Sequence, residues 1–404
     1  MKKIIMHIDV NNAFLSWSAI KMLNDGFKYD IRKSYAVIGG DESSRRGIVL
    51  AKSMPAKKKG VVTGETLYLA RKKCPGLKSY LPDFKFYKKM SDSMFSLIRK
   101  YSPDIEIMSI DECFLDYTPV KKLYGDEVDF AYNLKKEIYD ELGFTVNIGV
   151  ANNKLCAKMA SDFSKPYKVH TLFEEEVKDK MWILPVDDLF GIGKKTAAKL
   201  HDINIDTISD LAHADEKKLY RFFKNQAKYM IDSAWGRGSD FVNSVPDEPK
   251  GIGNETTLSH NIFDKEELYP YLLALSENVT LRLRRQNKYA NVVVVTLKNC
   301  YFKRYSHQKK LMNATNIAED VYKISKEILG EMNIQDGIRL IGVRLDNLTL
   351  GFNHQTSLFE SVNSFDNDNS LEKTVDKIKE KYGFKSIKKA SLVDRYVGNK
   401  YLNK

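Results

Sequence analysis

The chain has 404 residues, of which 43% are hydrophobic, a fraction typical of a folded protein and too high for a disordered one. The sequence contains no apolar run of about 18 residues, which excludes a transmembrane helix and predicts a cytoplasmic protein with no membrane partner. Lysine and arginine number 65 against 53 aspartate and glutamate, so the net charge of +12 favours a polyanionic partner.

The first 166 residues alternate between predicted strands and helices. Residues 3–9 form an apolar run that ends in an acid and predict a strand, and a helical pattern follows over 13–23. Further helices are predicted over 84–101, 128–141 and 152–163, and further strands over 105–110, 113–117 and 144–150. This mixed order predicts an α+β fold built on a sheet.

The remaining chain changes character three times. Residues 173–235 are helical with short loops, and residues 236–250 contain glycine and proline and predict a linker. Residues 251–352 are again α+β. The end of the chain is polar over 353–370, which predicts a flexible tether, and helical spacing over 371–382 predicts a short closing helix.

Three acidic residues stand at predicted strand ends. Asp9 ends the first strand, and Asp111 and Glu112 alone separate two short strands, which predicts a hairpin with both acids at its tip. Asp-Glu is a poor two-residue turn, and neighbouring carboxylates repel each other unless cations neutralise them. Such oxygen ligands suit Mg²⁺, and two ions about 4 Å apart can activate a hydroxyl and stabilise leaving pyrophosphate. Taken alone, each acid is better explained as a helix cap or a lysine partner.

Basic side chains concentrate in two segments. Residues 45–73 carry nine lysines and arginines against one acid. Residues 281–310 carry nine and no acid, with Tyr301, Phe302 and Tyr305 interleaved among them. Basic surfaces of this kind are typical of proteins that bind nucleic-acid phosphates without reading sequence. For residues 282–288, a solvated helix face explains the pattern equally well.

A glycine-containing turn lies between helical segments within residues 173–235. It consists of Gly191, Ile192, Gly193, Lys194 and Lys195. Two glycines allow backbone N–H groups to approach a phosphate at the start of the next helix, and the lysines add positive charge. An ordinary helix–helix turn is the alternative, because Gly-x-Gly occurs in many loops.

Four ordered segments resemble the Y-family, or translesion, DNA polymerases, most closely the polymerase IV and UmuC-like groups of bacteria. They are Ile-Asp-Val-Asn-Asn-Ala-Phe at 8–14, Arg-Arg-Gly with Met-Pro-Ala-Lys within 45–57, Ser-Ile-Asp-Glu-Cys-Phe-Leu-Asp at 109–116, and Ala-Lys-Met-Ala-Ser-Asp-Phe-Ser-Lys-Pro at 157–166. The resemblance extends from residue 1 to about 352. It implies a right-hand polymerase that copies damaged DNA with low fidelity.

The resemblance also implies the domains of this α+β fold. They are a palm at 1–10 and 78–166, fingers at 11–77, a helical helix-hairpin-helix thumb at 167–235, a linker at 236–250, an α+β little finger at 251–352 and a tail at 353–404.

The same resemblance implies the catalytic residues. Asp9, Asp111 and Glu112 would hold two Mg²⁺ ions, with the Val10 carbonyl as a further ligand and Mn²⁺ as a substitute metal. Phe14 would be the steric gate, whose ring leaves no room for a ribose 2′-hydroxyl. Alone, Phe14 is better explained as a core residue on an apolar helix face.

The nucleotide would be bound by Ala13, Phe14, Met54, Lys57 and Lys165. The family commonly has threonine, tyrosine and arginine where this chain has Ala51, Met54 and Lys57. Lysine keeps the positive charge but loses the planar fork of arginine, and methionine has no hydroxyl donor. We expect this departure to affect nucleotide affinity more than the reaction itself.

Further resemblances concern DNA and a protein partner. The turn at 191–195 would bind the DNA backbone, and in the little finger Lys303, Arg304, Arg339 and Arg344 would contact the template duplex. In the tail, Gln355, Leu358 and Phe359 match the Gln-x-x-Leu-Phe peptide that binds the bacterial β sliding clamp. A short tail strand is the alternative for that segment.

The sequence therefore predicts a monomeric DNA polymerase with primer-template DNA, dNTP and the β sliding clamp as partners. A non-catalytic DNA- and clamp-binding scaffold is the alternative that the altered finger residues suggest. The clustered acids argue against it, because a binding protein has no need of them beside a phosphate. Another palm-type nucleotidyltransferase, such as a cyclase, is disfavoured by the helix-hairpin-helix turn and the basic C-terminal region.

Overall fold

A computed structural model describes residues 2–42, 45, 47–350, 363–383 and 386–392. The chain divides into two compact units, one of Met1–Gly40 with Ile48–Pro246 and the other of Asp41–Gly47 with Asp247–Lys404.

The first unit contains eight strands and eleven α-helices among its described residues. The strands are β1 (Ile5–Val10), β2 (Ala36–Gly39), β3 (Val49–Lys52), β4 (Lys78–Tyr80), β5 (Ile105–Ile107), β6 (Glu112–Asp116), β7 (Val146–Ala151) and β8 (Val169–Leu172). The helices are α1 (Ala13–Asn24), α2 (Met54–Lys58), α3 (Leu67–Lys73), α4 (Phe84–Arg99), α5 (Lys121–Tyr124), α6 (Glu127–Leu142), α7 (Lys154–Asp162), α8 (Lys194–His201), α9 (Ile208–Ala212), α10 (Glu216–Phe223) and α11 (Gln226–Ala234).

The five-stranded sheet of this unit has the order β5-β6-β1-β7-β8. Its central strand β1 is buried along its whole length and runs antiparallel to β6 and β7. Because side chains alternate along a strand, Met6 and Ile8 point into the core formed with α4 and α6, whereas Ile5, His7 and Asp9 point to the face covered by α7. The carboxylate of Asp9 is therefore held on the α7 face of the sheet.

The smaller sheet has the order β3-β2-β4, and α2 and α3 pack on one of its faces. Side chains of α1 pack on the other face, where Leu15 and Ala19 meet Ile38 and Ala51. From Val49 onward, the basic segment 45–73 therefore forms β3, α2 and α3 with the loops between them.

Two details of the predicted sheet are wrong. The hairpin forms, but Glu112 is the first residue of β6 and residues 108–111 make a longer connection than the expected two-residue tip. Glu112 pairs with Asp9 in register, so strand pairing and not a tight turn fixes its position. The sheet also continues to β8, parallel to β7, and so extends past residue 166, where we expected the palm to end.

The helical region folds as expected, but the predicted linker is partly attached to the first unit. Asn153 donates a hydrogen bond from its side-chain nitrogen to the carbonyl of Gly236 at 2.8 Å, and Lys154 donates its backbone N–H to Ser239 at 2.9 Å. Val242 is buried in the same core. The backbone N–H of Asn243 donates to Glu106 at 2.8 Å. The linker is therefore anchored as far as residue 243.

The second unit is an antiparallel sheet covered by helices. Its elements are β9 (Gly251–Ile262), α12 (Lys265–Arg285), β10 (Tyr289–Asn299), β11 (Arg304–Thr315), α13 (Ala318–Glu331), β12 (Ile338–Thr349) and α14 (Asn363–Tyr382). The strand order is β11-β10-β12-β9, and α12 and α13 bury their apolar side chains against the sheet. None of the helices in the described part of the chain is both long and apolar enough to cross a membrane.

The closing helix α14 is longer than predicted and starts at Asn363, within the expected tether. It packs on α12 through charged side chains. Arg284 pairs with Glu372 at 3.1 Å and with Asp376 at 2.6 Å, and only 6% of the arginine side chain is exposed. Arg284 is thus neither solvated nor available to DNA, so neither interpretation of residues 282–288 holds for this arginine.

Candidate active site

The predicted carboxylates lie at the same end of two neighbouring strands. Asp9 stands opposite Glu112 in the β1–β6 pair, and the backbone N–H of Val10 donates to the carbonyl of Asp111 at 3.0 Å. Asp111 also accepts a hydrogen bond from the Ser109 hydroxyl at 2.6 Å. The structure therefore brings together the three acids that were selected from two distant segments.

One lysine from the middle of α7 and one from the loop after that helix face these acids. Lys158 Nζ lies 2.7 Å from Glu112 Oε2 and 3.7 Å from Asp9 Oδ2. Lys165 Nζ lies 2.5 Å from Asp9 Oδ2 and 2.8 Å from Asp162 Oδ1. The ammonium groups thus neutralise the carboxylates with which they pair.

The pKa values follow from these contacts. Although burial disfavours their charged forms, the neighbouring carboxylates raise the pKa of both Lys158 and Lys165. Contact with His7 and then with Lys158 outweighs burial and lowers the pKa of Glu112 to about 2. Burial, together with the like charges of Asp9 and Glu112, instead raises the pKa of Asp111. The three carboxylates are therefore electrostatically unequal.

The donor chemistry fits a hard divalent cation. Asp9, Asp111 and Glu112 supply carboxylate oxygens from adjacent strand ends, and ionised Asp111 in particular is disfavoured by burial and by its like-charged neighbours. Among the described residues, no three acidic, histidine or cysteine side chains already converge on one point as a metal-binding group. Because Lys158 pairs with Glu112 and Lys165 pairs with Asp9, metal binding would require these lysines to share the carboxylates with the cation.

The aromatic ring of Phe14 lies at the start of α1, the helix that follows β1 in the chain. Asn12, which precedes the helix, adopts a left-handed conformation with φ 53° and donates from its side chain to the Lys52 carbonyl at 2.7 Å. The half-buried Phe14 ring stacks on Tyr87 with a centroid distance of 4.9 Å. The ring is thus fixed by packing, while part of it stays accessible. Ala13 beside it is buried.

The finger residues that depart from the family pattern lie on β3 and α2. Ala51 is buried in β3, whereas Met54 is 51% exposed at the start of α2 and Lys57 is exposed one turn later. Ser53 caps α2 by accepting a hydrogen bond from Ala56 N. The side chains of Met54 and Lys57 are therefore accessible to a ligand from solvent.

The glycine turn lies where the sequence placed it. Gly191 has φ 94° and Gly193 is the N-cap of α8, and a Cβ added at either glycine would meet no atom within 4 Å. Lys194 and Lys195 are exposed on the first turn of the helix, and Ile192 is partly buried against the helical core. The open backbone suits contact with a phosphate.

The predicted DNA contacts of the second unit differ in their surroundings. Lys303 is exposed. Arg304 pairs with Glu255 at 2.5 Å, and Arg344 pairs with Asp346 at 2.7 Å. Arg339 lies over the ring of Phe302, 5.0 Å from its centroid. Gln355, Leu358 and Phe359 of the clamp-binding segment lie outside the described residues.

Sequence reasoning missed several residues that surround the carboxylates. Lys158 lies within the segment 157–166 that resembles the family, but only the fold shows that it contacts Glu112. His7 is fully buried, with Nε2 3.3 Å from Glu112 Oε2. Asn147 has no sequence signal at all, because a single asparagine in an apolar strand resembles a chance polar residue.

The sequence is similar to known protein families along most of its length. Residues 8–162 match the impB/mucB/samB family, residues 249–358 match the C-terminal domain of that family, and residues 174–205 match the IMS family HHH motif. The DNA polymerase IV of Clostridium acetobutylicum is 46% identical over 98% of this chain and 99% of its own length. DNA polymerase IV 1 of Bacillus subtilis is 31% identical over 97% and 94%.

A solved structure supports the same relation. The Y-family DNA polymerase chimera Dbh-Dpo4(243-245)-Dbh matches with a TM-score of 0.76 and 25% identity, covering 86% of this chain and all of that one. Sequence and fold are thus similar to the same group of proteins.

Proposed function

Because the chain belongs to the Y-family of DNA polymerases, in the bacterial polymerase IV group, we propose how its own residues carry out the family's reaction. It is a template-directed DNA polymerase that performs translesion synthesis, a metal-dependent nucleotidyl transfer with DNA and dNTP as substrates. The observation that supports the residue assignment is the pairing of Asp9 with Glu112 beside Asp111 at adjacent strand ends.

In the proposed reaction the primer 3′-hydroxyl loses its proton and its oxygen bonds to the α-phosphorus of the nucleotide. The bond from that phosphorus to the bridging oxygen breaks, and pyrophosphate leaves. Asp9, Asp111, Glu112 and the Val10 carbonyl would hold two Mg²⁺ ions, or Mn²⁺ in their place. When bound, such ions activate the attacking oxygen and stabilise charge on the leaving group.

The side chains around the carboxylates would bind and select the nucleotide. Lys57 and Lys165 would contact the triphosphate as point charges, with Met54 beside them. Phe14 would lie under the sugar, where its stacking on Tyr87 would resist displacement of the ring by a 2′-hydroxyl. Ala13 would form the adjoining wall of the sugar pocket.

DNA would be held by the two basic regions. The turn at 191–195 would bind a backbone phosphate through its open N–H groups, and Lys303, Arg304, Arg339 and Arg344 would bind the duplex. We expect Arg304 and Arg344 to exchange their carboxylate partners for phosphates, because both pairs are exposed and such pairs contribute little free energy. The segment with Gln355, Leu358 and Phe359 would bind the β sliding clamp.

Primer extension on a defined template tests the assignment of the acids. The purified protein should extend a primer with Mg²⁺ and deoxynucleotides, and the double variant Asp111→Ala, Glu112→Ala should lose extension while keeping its affinity for primer-template DNA. Extension by the double variant at the wild-type rate would contradict the assignment. An inactive wild-type protein that binds DNA would support the scaffold alternative.

A further inference from the structure

Two buried asparagines connect the catalytic strand β1 to the loop that carries Lys165. Asn147 lies on β7 directly opposite Asp9 and is fully buried. Asn11, just beyond the end of β1, is 7% exposed. A buried amide costs free energy unless each of its polar atoms is hydrogen-bonded, so its partners show what it holds in place.

The side chain of Asn147 uses all of its hydrogen-bonding capacity. Its nitrogen donates to the carbonyls of Ser161 and Ser164, at 2.9 and 2.6 Å. Its oxygen accepts from Asn11 Nδ2 and from the backbone N–H of Lys168, both at 3.1 Å. Two donated and two accepted bonds are the maximum for an asparagine side chain, so the arrangement is specific to this amide.

Asn11 completes the attachment from the other strand. Its side-chain oxygen accepts the backbone N–H of Tyr167 at 2.9 Å. The backbone is thus held immediately before Lys165, at Ser164, and again after it, at Tyr167 and Lys168. These bonds determine where the Lys165 side chain starts, and its ammonium group reaches Asp9 Oδ2 at 2.5 Å.

We propose that Asn147 and Asn11 are positioning residues for nucleotide binding, which act by holding Lys165 beside the carboxylates. This inference rests on the proposed contact between Lys165 and the triphosphate. A lysine on an unrestrained loop would lose conformational entropy each time a nucleotide binds, whereas a fixed loop has lost it during folding. The side chains of both asparagines bond to each other and to the backbone around Lys165, so they would act on the nucleotide through that lysine.

The test is a double-variant cycle measured by single-nucleotide insertion, with the active fraction of each preparation determined by titration. Asn147→Ala should raise the KM for dNTP about tenfold with a smaller change in kcat, because its loss frees the loop but leaves the carboxylates in place. Lys165→Ala should also raise the KM. The variant with both changes should then be no worse than Lys165→Ala alone, because Asn147 acts through that lysine.

If the KM of the double variant rose by the product of the two single-variant factors, the proposal would be overturned, while the role of Lys165 would stay intact. An unchanged KM in Lys165→Ala would instead refute the proposed triphosphate contact, and the inference with it. Asn11→Ala removes fewer bonds to the loop and provides a second test if Asn147→Ala fails to fold. It should raise the KM by a smaller factor, and an unchanged KM would contradict the proposal.

Asn152→Ala is the matched control. This residue follows the same strand β7, and its side chain donates to the Lys3 carbonyl at 2.9 Å and accepts from Glu174 N at 3.3 Å, away from the Lys165 loop. Its KM should equal that of the wild type. An equal rise in KM for Asn152→Ala would show a general effect of losing an amide on β7 and would overturn the proposal.

Discussion

The three carboxylates at the ends of β1 and β6 have different partners. Glu112 faces His7 and Lys158, and Asp9 faces Lys158 and Lys165, whereas Asp111 accepts a hydrogen bond from Ser109 and has a raised pKa. A carboxyl whose pKa is raised by folding contributes stability that is fully present below its pKa in the unfolded chain. That contribution is lost as the pH rises through its pKa in the folded protein. Ionisation of Asp111 is therefore less favourable in the folded, metal-free protein than in the unfolded chain.

Replacing Asp111 by asparagine should separate stability from activity. We expect Asp111→Asn to abolish extension but to stabilise the metal-free protein at pH 7 by about 1 kcal/mol. Asparagine has nearly the same shape as aspartate but lacks the negative charge that burial and the neighbouring carboxylates disfavour. The gain should shrink as the pH falls and the wild-type carboxyl protonates. Urea unfolding in EDTA at pH 7 and at acidic pH measures both effects, and a less stable variant at pH 7 would contradict the reasoning.

Lys57 offers a second prediction at this scale. We expect Lys57→Ala to raise the KM for dNTP about tenfold, a typical effect of losing one charge-assisted contact. Lys57→Arg should preserve or lower the KM, because arginine can bind phosphate oxygens in pairs. Lys58→Ala, an exposed neighbour on the same helix, is the control. An unchanged KM in Lys57→Ala would count against Lys57 as a contact.

At the scale of elements, the helix α14 is held on α12 by ion pairs of unequal burial. Arg284 is nearly buried between Glu372 and Asp376, whereas the pair of Arg285 with Glu380 has side chains that are 38% and 51% exposed. Removing one partner of a buried pair leaves a charge without compensation, but an exposed pair contributes little. The same type of contact therefore has two different energies along one helix.

Asp376→Ala should consequently destabilise the second unit by roughly 2–3 kcal/mol, and Glu380→Ala by less than about 0.5 kcal/mol. Limited proteolysis and thermal unfolding of the full chain can measure the difference, with cleavage near α14 expected first in Asp376→Ala. Equal stability of the two variants would contradict this expectation and would show that Glu372 and the Asn316 carbonyl, which also contact Arg284, compensate for the loss of Asp376.

Elements with strong periodicity could be predicted from the sequence, and elements defined by pairing could not. The helix expected at 84–101 is Phe84–Arg99, and the strand expected at 3–9 is Ile5–Val10. Glu112 was misplaced because local turn preference competes with pairing to Asp9, which lies about a hundred residues away. β8 was missed because its four residues have no periodic pattern and need β7 to form.

The site was predictable to the same extent. The acids were selected because they stand in ordered segments that resemble a known family, since each acid alone is better explained as a helix cap or a lysine partner. The residues that hold them were not, because Lys158 and Asn147 acquire their partners only when α7 and β7 pack beside β1.

Across the molecule, the basic side chains behind the net charge of +12 differ in whether they are paired within the protein or exposed to solvent. Arg284 and Arg285 are paired within the second unit, whereas Lys194, Lys195 and Lys303 remain exposed. Phosphate contacts by exposed cations release counterions, so affinity for DNA should fall steeply with salt. Such binding is independent of sequence and weak at physiological salt, which makes a second attachment useful.

The proposed clamp-binding segment would be that attachment. We expect Leu358→Ala with Phe359→Ala to abolish stimulation of synthesis by the bacterial β clamp while basal extension on the same template stays unchanged, since both apolar anchors are lost. Ser357→Ala, at a variable position of the pattern, is the control. Full stimulation of the double variant would reject the assignment.

The anchored start of the linker has a consequence for how the enzyme stays on its substrate. Asn243 is bound to Glu106 in the first unit, and Glu248 pairs with Lys288 in the second at 3.0 Å. Five residue steps span at most about 18 Å, so the chain segment between Asn243 and Glu248 is short. With both units binding DNA as proposed, a unit that releases the DNA would be kept at a high local concentration by the other, and rebinding should be faster than escape. Lengthening the chain at 245, and not at 238, would weaken this chelate effect.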